Sequence, residues 1–369
     1  MIRVLHIVDS LDMGGIQTFL LNVYRNIDRA KIKFDILVFR EHKQVLEDEF
    51  INLGSNIYKL PNWRQGYLGN RKSLKAFFEE HKEYKIVHYH AGTLTYIGPI
   101  IAACKAGVPV RIMHSHNTEA AGGPWNKYAH LYHKKRIAEY ATHYFACGEL
   151  AGKWMFGGTA VENNVRVINN GIKTADYAFN EEVRNRIRKE LEVEDRFVIG
   201  HVGRFSIVKN HTFLIDIMDK IKDVVPNAVL LCAGDGAEKA NVEEKVKNLG
   251  LENYVKFLGI RRDIPDLFQA FDIFVLPSLF EGFPVVLVEA EAAGLPCVIS
   301  DSISKEVVIK DNVKMISLDS PIEDWINEIR SNNCTSVDNQ LLIEAGFDIK
   351  TTAAQLIDFY FEKVHHEIV

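Results

Sequence analysis

Two carboxylates, Glu281 and Glu289, bracket the stretch EGFPVVLVE, and their types and spacing suit a ligand that carries hydroxyl groups at two places along its length. Carboxylates accept hydrogen bonds, so a sugar and a ribose are fitting partners. The apolar run Phe271 to Leu276 reads as a strand covered on both faces, and it stops at Pro277. Pro284 stands at a plausible first helical position, and VVLVEAEAA is closed by Gly294 and Pro296. Strand, loop and helix therefore follow one another. In open α/β sheets such a loop lies at the carboxyl ends of the strands, and the helix start offers free N–H groups to an anion. Gly282 lets a ligand approach the backbone, and Glu289, five residues past Pro284, lies roughly 7.5 Å along the axis. Taken alone, the pair fits equally well a residue that complements the helix dipole and a solvated helix residue.

Candidate phosphate ligands come from further upstream. Val202-Gly203-Arg204-Phe205 ends a strand and Lys209-Asn210-His211 opens a helix, so Arg204 and Lys209 can converge on a diphosphate. Ala233-Gly234-Asp235-Gly236 and Leu258-Gly259-Ile260-Arg261-Arg262 are further turns at strand ends. Near the start, Asp12-Met13-Gly14-Gly15 separates a strand from an amphipathic segment without the G-x-G-x-x-G fingerprint, and suits a phosphate loop or a plain tight turn. His88 and His90, and likewise His114 and His116, fall at strand ends with side chains on one face. No carboxylate or cysteine at ligand spacing accompanies them, so no metal site is expected, and a satisfied structural role is the default for each. The chain also lacks an Asp-x-Asp pair to hold a divalent ion on a diphosphate.

These residues need two sheets to hold them. Strands are expected at Val4 to Val8, Phe34 to Phe39, Asn56 to Lys59, Ile86 to His90, Val108 to His114, His143 to Ala146 and Val165 to Ile168. A second series runs through Phe197 to Gly203, Ala228 to Ala233, Val255 to Leu258, Phe271 to Leu276 and Pro296 to Ser300. Alternation with helices means an α/β class with parallel sheets. The hinge is placed at the turn Asn169-Asn170-Gly171, giving domains at 1–170 and 171–350 and a C-terminal helix at 351–369. That helix carries Ala354, Ile357, Phe361 and Val364 at helical spacing. In Asn126 to Tyr140 lysines and an arginine interleave with Tyr128, Leu131, Tyr132 and Ile137. The reading preferred here is a surface helix that buries its aromatic stripe, with a membrane-interface helix as the alternative.

With 369 residues, 47% hydrophobic and 25% charged, the chain is a two-domain globular protein and not a disordered one. Residues 1–170 hold 22 Lys and Arg against 15 Asp and Glu, a net +7, while the remainder is −12. The basic half suits an acidic acceptor or an anionic membrane surface, although solvated faces produce such imbalances too. Cys104, Cys147, Cys232, Cys297 and Cys334 are scattered, which indicates neither a disulfide framework nor a zinc site and fits a reducing cytoplasm. Signal-peptide features and an apolar run of bilayer length are both lacking in the sequence.

EGFPVVLVE after LPSLF, preceded about 75 residues upstream by GRFSIVKN, resembles the signature of the retaining glycosyltransferases of the GT-B fold, family four. The resemblance implies two Rossmann-like domains whose parallel sheets face across a cleft, with the last helix crossing back to the first. It further implies that Glu281 meets the donor sugar and Glu289 the ribose, with Gly282, Phe283 and Pro284 beside them. Arg204 and Lys209 would hold the diphosphate next to Gly203, and Gly234, Gly259 and Arg261 would surround the nucleotide. Gly14 and Gly15 would face the cleft near the diphosphate. In HSHN, His116 would point at the hexose and His114 would be structural. The expected activity is retaining transfer of a hexose, with UDP as the expected nucleotide, to a glycan acceptor, typically a lipid-linked diphosphate oligosaccharide in capsule or exopolysaccharide assembly. No cofactor, metal or nucleic acid is expected, and the location is cytoplasmic or peripheral at the inner face of the membrane. Alternatives are a UDP-sugar 2-epimerase on the same fold and a non-catalytic nucleotide-sugar-binding protein.

Overall fold

Alternating apolar strands and amphipathic helices build two doubly wound units in the computed structural model, which describes residues 1–12, 14–118, 123–331 and 339–367. Met13 and Cys334 lie outside the described residues. One unit comprises Met1–Gly171 with Asp348–Val369, and the other Ile172–Phe347.

The first unit holds strands β1 (Ile2–Val8), β2 (Ile32–Val38), β3 (Ile57–Lys59), β4 (Ile86–Ala91), β5 (Val110–Ser115), β6 (His143–Ala146) and β7 (Val165–Val167). They form one sheet in the order β3-β2-β1-β4-β5-β6-β7, and every pairing is parallel. The second unit holds β8 (Phe197–Val202), β9 (Ala228–Ala233), β10 (Val255–Gly259), β11 (Ile273–Leu276), β12 (Cys297–Ser300) and β13 (Val313–Ile316), in the order β10-β9-β8-β11-β12-β13 and again all parallel. Parallel sheets need both faces covered, and each sheet accordingly separates two apolar clusters. The chain order reverses between β1 and β4 and between β8 and β11, the switch points at which open α/β sheets bind ligands.

Several expectations need correction. Strand β11 starts at Ile273, because Phe271 ends the preceding helix and Asp272 is pinned by Arg184 and Arg188. Strand β13 was not expected from the sequence. In the C-terminal helix, Ile349–Glu367, Ala354 is exposed, and Ala353, Leu356, Phe359 and Tyr360 enter the core of the first unit. The apolar stripe is rotated by about one residue, so that Tyr360 can reach β1 and β4.

The segment after Gly123 departs furthest. Helix Pro124–Lys134 leaves Trp125, Tyr128 and Tyr132 exposed at 84%, 67% and 57%. It turns its histidines inward instead. His130 Nδ1 accepts from Leu94 N at 3.1 Å and stacks on Trp154, and His133 Nδ1 donates to Leu94 O at 2.7 Å. Two hydrogen bonds to an otherwise unpaired loop backbone decide which face is buried, so the aromatic stripe faces water. Among the described residues no helix is long and apolar enough to cross a membrane.

Candidate functional site

Within the second unit, the loops that leave β8 and β11 meet at the switch point. Leu279 N donates to Val208 O at 2.8 Å, and Asn210 Nδ2 donates to Pro277 O at 3.1 Å from a residue held at φ 54°. These contacts set Lys209 against Glu281, Nζ to Oε1 at 2.6 Å, with both side chains mostly covered. Ser278 Oγ donates to the same carboxylate oxygen at 3.0 Å. The backbone of Glu281 is fixed as well, since its carbonyl accepts from Ser304 N at 3.2 Å. A cation and a carboxylate drawn from opposite sides of the switch point are thus held ready for a ligand carrying both negative charge and hydroxyl groups.

Helix Val285–Ala292 begins one residue later than expected, with Pro284 at its N-cap. The helix faces Glu289 toward Tyr177, whose hydroxyl donates to Oε1 at 2.7 Å. Burial pushes the Glu289 carboxyl up to about 7, against the opposing pull of that hydroxyl and of Lys209. The nearby Glu291, fully buried, is also raised to about 7 by burial and accepts the N–H groups of Ile309 and Lys310 at 3.1 and 2.8 Å. The two carboxylates therefore separate cleanly. Glu289 keeps an open side, whereas Glu291 anchors the chain between β12 and β13.

Arg204 is exposed and has no ion pair among the described residues, so its guanidinium is available to a ligand. Gly203 passes within 3.3 Å of the Lys209 stem as judged from an added Cβ. Gly234 has φ 141° and an added Cβ there would sit 2.0 Å from Gly203 O, so the loops after β8 and β9 touch backbone to backbone. Gly259 has φ 65° and open space at its Cβ position. Arg261 is engaged, pairing with Asp263 and with Glu190 Oε1 at 3.0 Å, which ties the loop after β10 to a neighbouring helix. Phe283 packs on Phe347 with centroids 5.7 Å apart. Gly282 lies partly covered in the loop. Tyr177 and Ser278 are functional candidates that sequence reasoning missed; a serine three residues before Glu281 was a readable signal, while Tyr177 comes from 112 residues away.

In the first unit, Gly14 caps helix Gly15–Arg25 after β1, and an added Cβ on Gly14 would meet Gln17 Oε1 at 2.6 Å. Beyond it, five histidines gather on the sheet face that this helix and the C-terminal helix cover. In the sheet register His6 of β1 faces His88 of β4, and His90 faces His114 of β5. His6, missed in the sequence, was visible as a polar residue amid the apolar strand Val4 to Val8. His6 Nδ1 and His90 Nε2 are 3.0 Å apart, and His90 Nδ1 and His116 Nε2 2.9 Å. His88 Nε2 and His114 Nδ1 are 3.1 Å apart, and His88 Nδ1 meets the Tyr360 hydroxyl at 2.6 Å. Burial keeps all of them neutral, with His6 and His116 lowered to about 3. His6, His88 and His90 bring three ligand atoms within 4.8 Å of one another, as do His90, His114 and His116. These are the groups that could hold a transition metal, and the sequence hid them because their members come from three strands.

Residues 183–332 match the family model described as Glycosyl transferases group 1, and residues 13–176 the one described as Glycosyltransferase Family 4. Bacillus subtilis EpsF, a glycosyltransferase by inference, is 35% identical over 370 residues, covering 97% of this chain and 96% of its own. The Escherichia coli UDP-Gal:alpha-D-GlcNAc-diphosphoundecaprenol alpha-1,3-galactosyltransferase is 25% identical over 79% of this chain and 80% of its own. Among solved structures, Anabaena HepE in complex with UDP superposes with a TM-score of 0.82 at 21% identity, over 98% of this chain and 100% of that one.

Proposed function

Because the chain belongs to the family-four glycosyltransferases, the glycosyl transferases group 1 of GT-B fold, we propose that it moves a hexose from a UDP-sugar to a hydroxyl of a lipid-linked diphosphate glycan, with retention of the anomeric configuration. The observation that carries this reading is the Lys209–Glu281 pair at the β8/β11 switch point, with Arg204 free on one side and Glu289 on the helix behind. Supporting it, the Escherichia coli relative acts on such a diphosphate lipid and the Anabaena structure contains UDP.

In this mechanism a diphosphate takes Glu281's place as the partner of Lys209, and Arg204 closes on the same phosphates. Negative charge grows on the leaving diphosphate as the glycosidic bond breaks, and the two fixed cations stabilise it there. The N-terminus of helix Val285–Ala292 adds its partial positive charge, so no divalent ion is needed. Released from Lys209, Glu281 accepts hydrogen bonds from hexose hydroxyls, while Glu289 and Tyr177 take the ribose. His116 supports the hexose from the first unit. No carboxylate acts as a covalent nucleophile; the departing phosphate oxygen takes the acceptor's proton on the same face, which conserves configuration.

The product serves exopolysaccharide or capsule assembly in this reading, in keeping with the relationship to EpsF. Exposed Trp125, Tyr128 and Tyr132, beside Lys127 and Lys135, would rest on the inner membrane surface where such an acceptor is anchored. A panel of nucleotide sugars assayed for transfer to undecaprenyl-diphosphate glycans tests the proposal. UDP release with glycan extension supports it, and exchange of epimers without transfer replaces it with the epimerase reading.

A further inference from the structure

The histidines of the first unit deepen the role given to His116 and rest on that reading of the site. A neutral imidazole has one N–H and one bare nitrogen. Each nitrogen-to-nitrogen contact must therefore contain one proton, supplied from one side only. In the run His6, His90, His116, with contacts of 3.0 and 2.9 Å, this couples the three tautomers. Only two arrangements satisfy both contacts. Either every Nδ1 carries the proton on His6, His90 and His116, or every Nε2 does.

The ends of the run distinguish the two. His6 Nε2 and His116 Nδ1 are both buried and unpartnered. His6 is fully buried among the rings of Phe34, His88, His90 and Tyr360, and no carboxylate or carbonyl partners that nitrogen. An N–H sealed there without an acceptor is the costlier orphan, so His6 Nε2 is the bare nitrogen. His6 Nδ1–H then donates to His90 Nε2, and His90 Nδ1–H donates to His116 Nε2. The proton of His116 is left on Nδ1, the one nitrogen of the run's outer end that lacks a partner.

We propose that His6 and His90 are positioning residues that hold His116 in the Nδ1–H tautomer, so that it presents a hydrogen-bond donor to a hydroxyl oxygen of the donor hexose. The second run, Tyr360 to His88 to His114, flanks the first and packs its rings, with centroids of His88 and His90 4.1 Å apart and those of His114 and His116 4.1 Å apart. That flank restricts rotation of the relay rings without exchanging a hydrogen bond with them. A metal ion on the same nitrogens would bury a double positive charge among neutral rings, with no carboxylate in either three-histidine group to offset it.

The test uses the full chain without a histidine tag, labelled with 15N-histidine. Two-bond 1H–15N correlation spectra at pH 7 report which nitrogen is protonated, and the His116 signals are assigned by their loss in His116→Gln. The expected result is Nδ1–H for His116 and His90. In His6→Phe the His116 signal should become a mixture of tautomers, and kcat should fall on the order of tenfold or more while KM for the nucleotide sugar stays within about twofold. His6→Gln, whose amide can donate to His90 Nε2, should restore both. A purely structural role predicts the reverse order, because phenylalanine fills an apolar site better than glutamine. An Nε2–H tautomer of His116 in the wild type, an unchanged tautomer in His6→Phe, or one equivalent of bound metal by elemental analysis of the purified protein would each overturn the proposal. Should His6→Phe not fold, the wild-type spectrum decides alone. The expected tautomers in a protein that turns over no nucleotide sugar would support the relay and reject the transferase reading instead.

Discussion

Lys209 and Glu281 show what a sequence can and cannot reveal about a residue. Their types and their places in GRFSIVKN and EGFPVVLVE were legible, but their mutual contact at 2.6 Å was not, because it depends on two loops 72 positions apart meeting at a switch point. The same limit hid Tyr177 behind Glu289 and His6 behind His90. Arg204→Ala or Lys209→Ala should lower kcat about 10²-fold or more at saturating donor, the loss typical of an electrostatic stabiliser; steady-state kinetics that leave kcat unchanged contradict the assignment. Activity should also persist in excess EDTA, and loss that Mg²⁺ or Mn²⁺ restores would reject the metal-free mechanism. The Glu289 carboxyl, raised to about 7, makes a further prediction. It is ionised above that pH and protonated below, and only the carboxylate offers full acceptor capacity to ribose hydroxyls. UDP affinity should therefore fall about tenfold from pH 8 to pH 6. Calorimetry on Glu289→Gln, which cannot titrate, isolates this effect from titration of UDP itself: the variant should bind more weakly and lose that part of the pH dependence.

At the scale of elements, most strands were legible because buried parallel strands are continuous apolar runs, and their observed bounds differ from expectation by a residue or two. Strand β13 was missed because Val313–Ile316 is four residues long and contains an exposed lysine, leaving no run to see. Helix Pro124–Lys134 misled for a different reason, since hydrogen bonds from His130 and His133 to Leu94 outweigh the pull of its aromatic stripe. The loops carry the sharper prediction. Gly234→Ala drives a Cβ to 2.0 Å from Gly203 O at φ 141° and should cost about 3 kcal/mol or more. Gly259→Ala meets no atom and bears only the left-handed backbone term, about 1–2 kcal/mol. Urea denaturation that ranks them the other way would mean that the close approach of the β8 and β9 loops is wrong. The exposed stripe predicts that Trp125→Ala with Tyr128→Ala weakens flotation on phosphatidylglycerol vesicles while UDP binding is unchanged; equal flotation would remove the membrane contact.

Over the whole molecule, the sequence supported two α/β halves and a returning last helix, and the contact pattern divides the chain after Gly171 and before Asp348. What periodicity alone did not provide was which stripe of that helix is buried, since adjacent positions in Ile349–Glu367 are apolar all along. Leu356→Ala should destabilise the first unit by about 2–5 kcal/mol, read as a lowered denaturation midpoint in that unit's tryptophans. The basic first half and acidic second half, +7 against −12, suit an anionic acceptor on one and a donor held by a few fixed cations on the other. The central claim, transfer from a UDP-hexose with retention, is tested most directly by watching that donor react with water as the acceptor. In a 1H NMR time course with an α-linked UDP-hexose that the protein accepts, the α-anomer of the free hexose should appear first, before mutarotation. A β-anomer appearing first would contradict the front-face mechanism even with every binding residue correctly assigned.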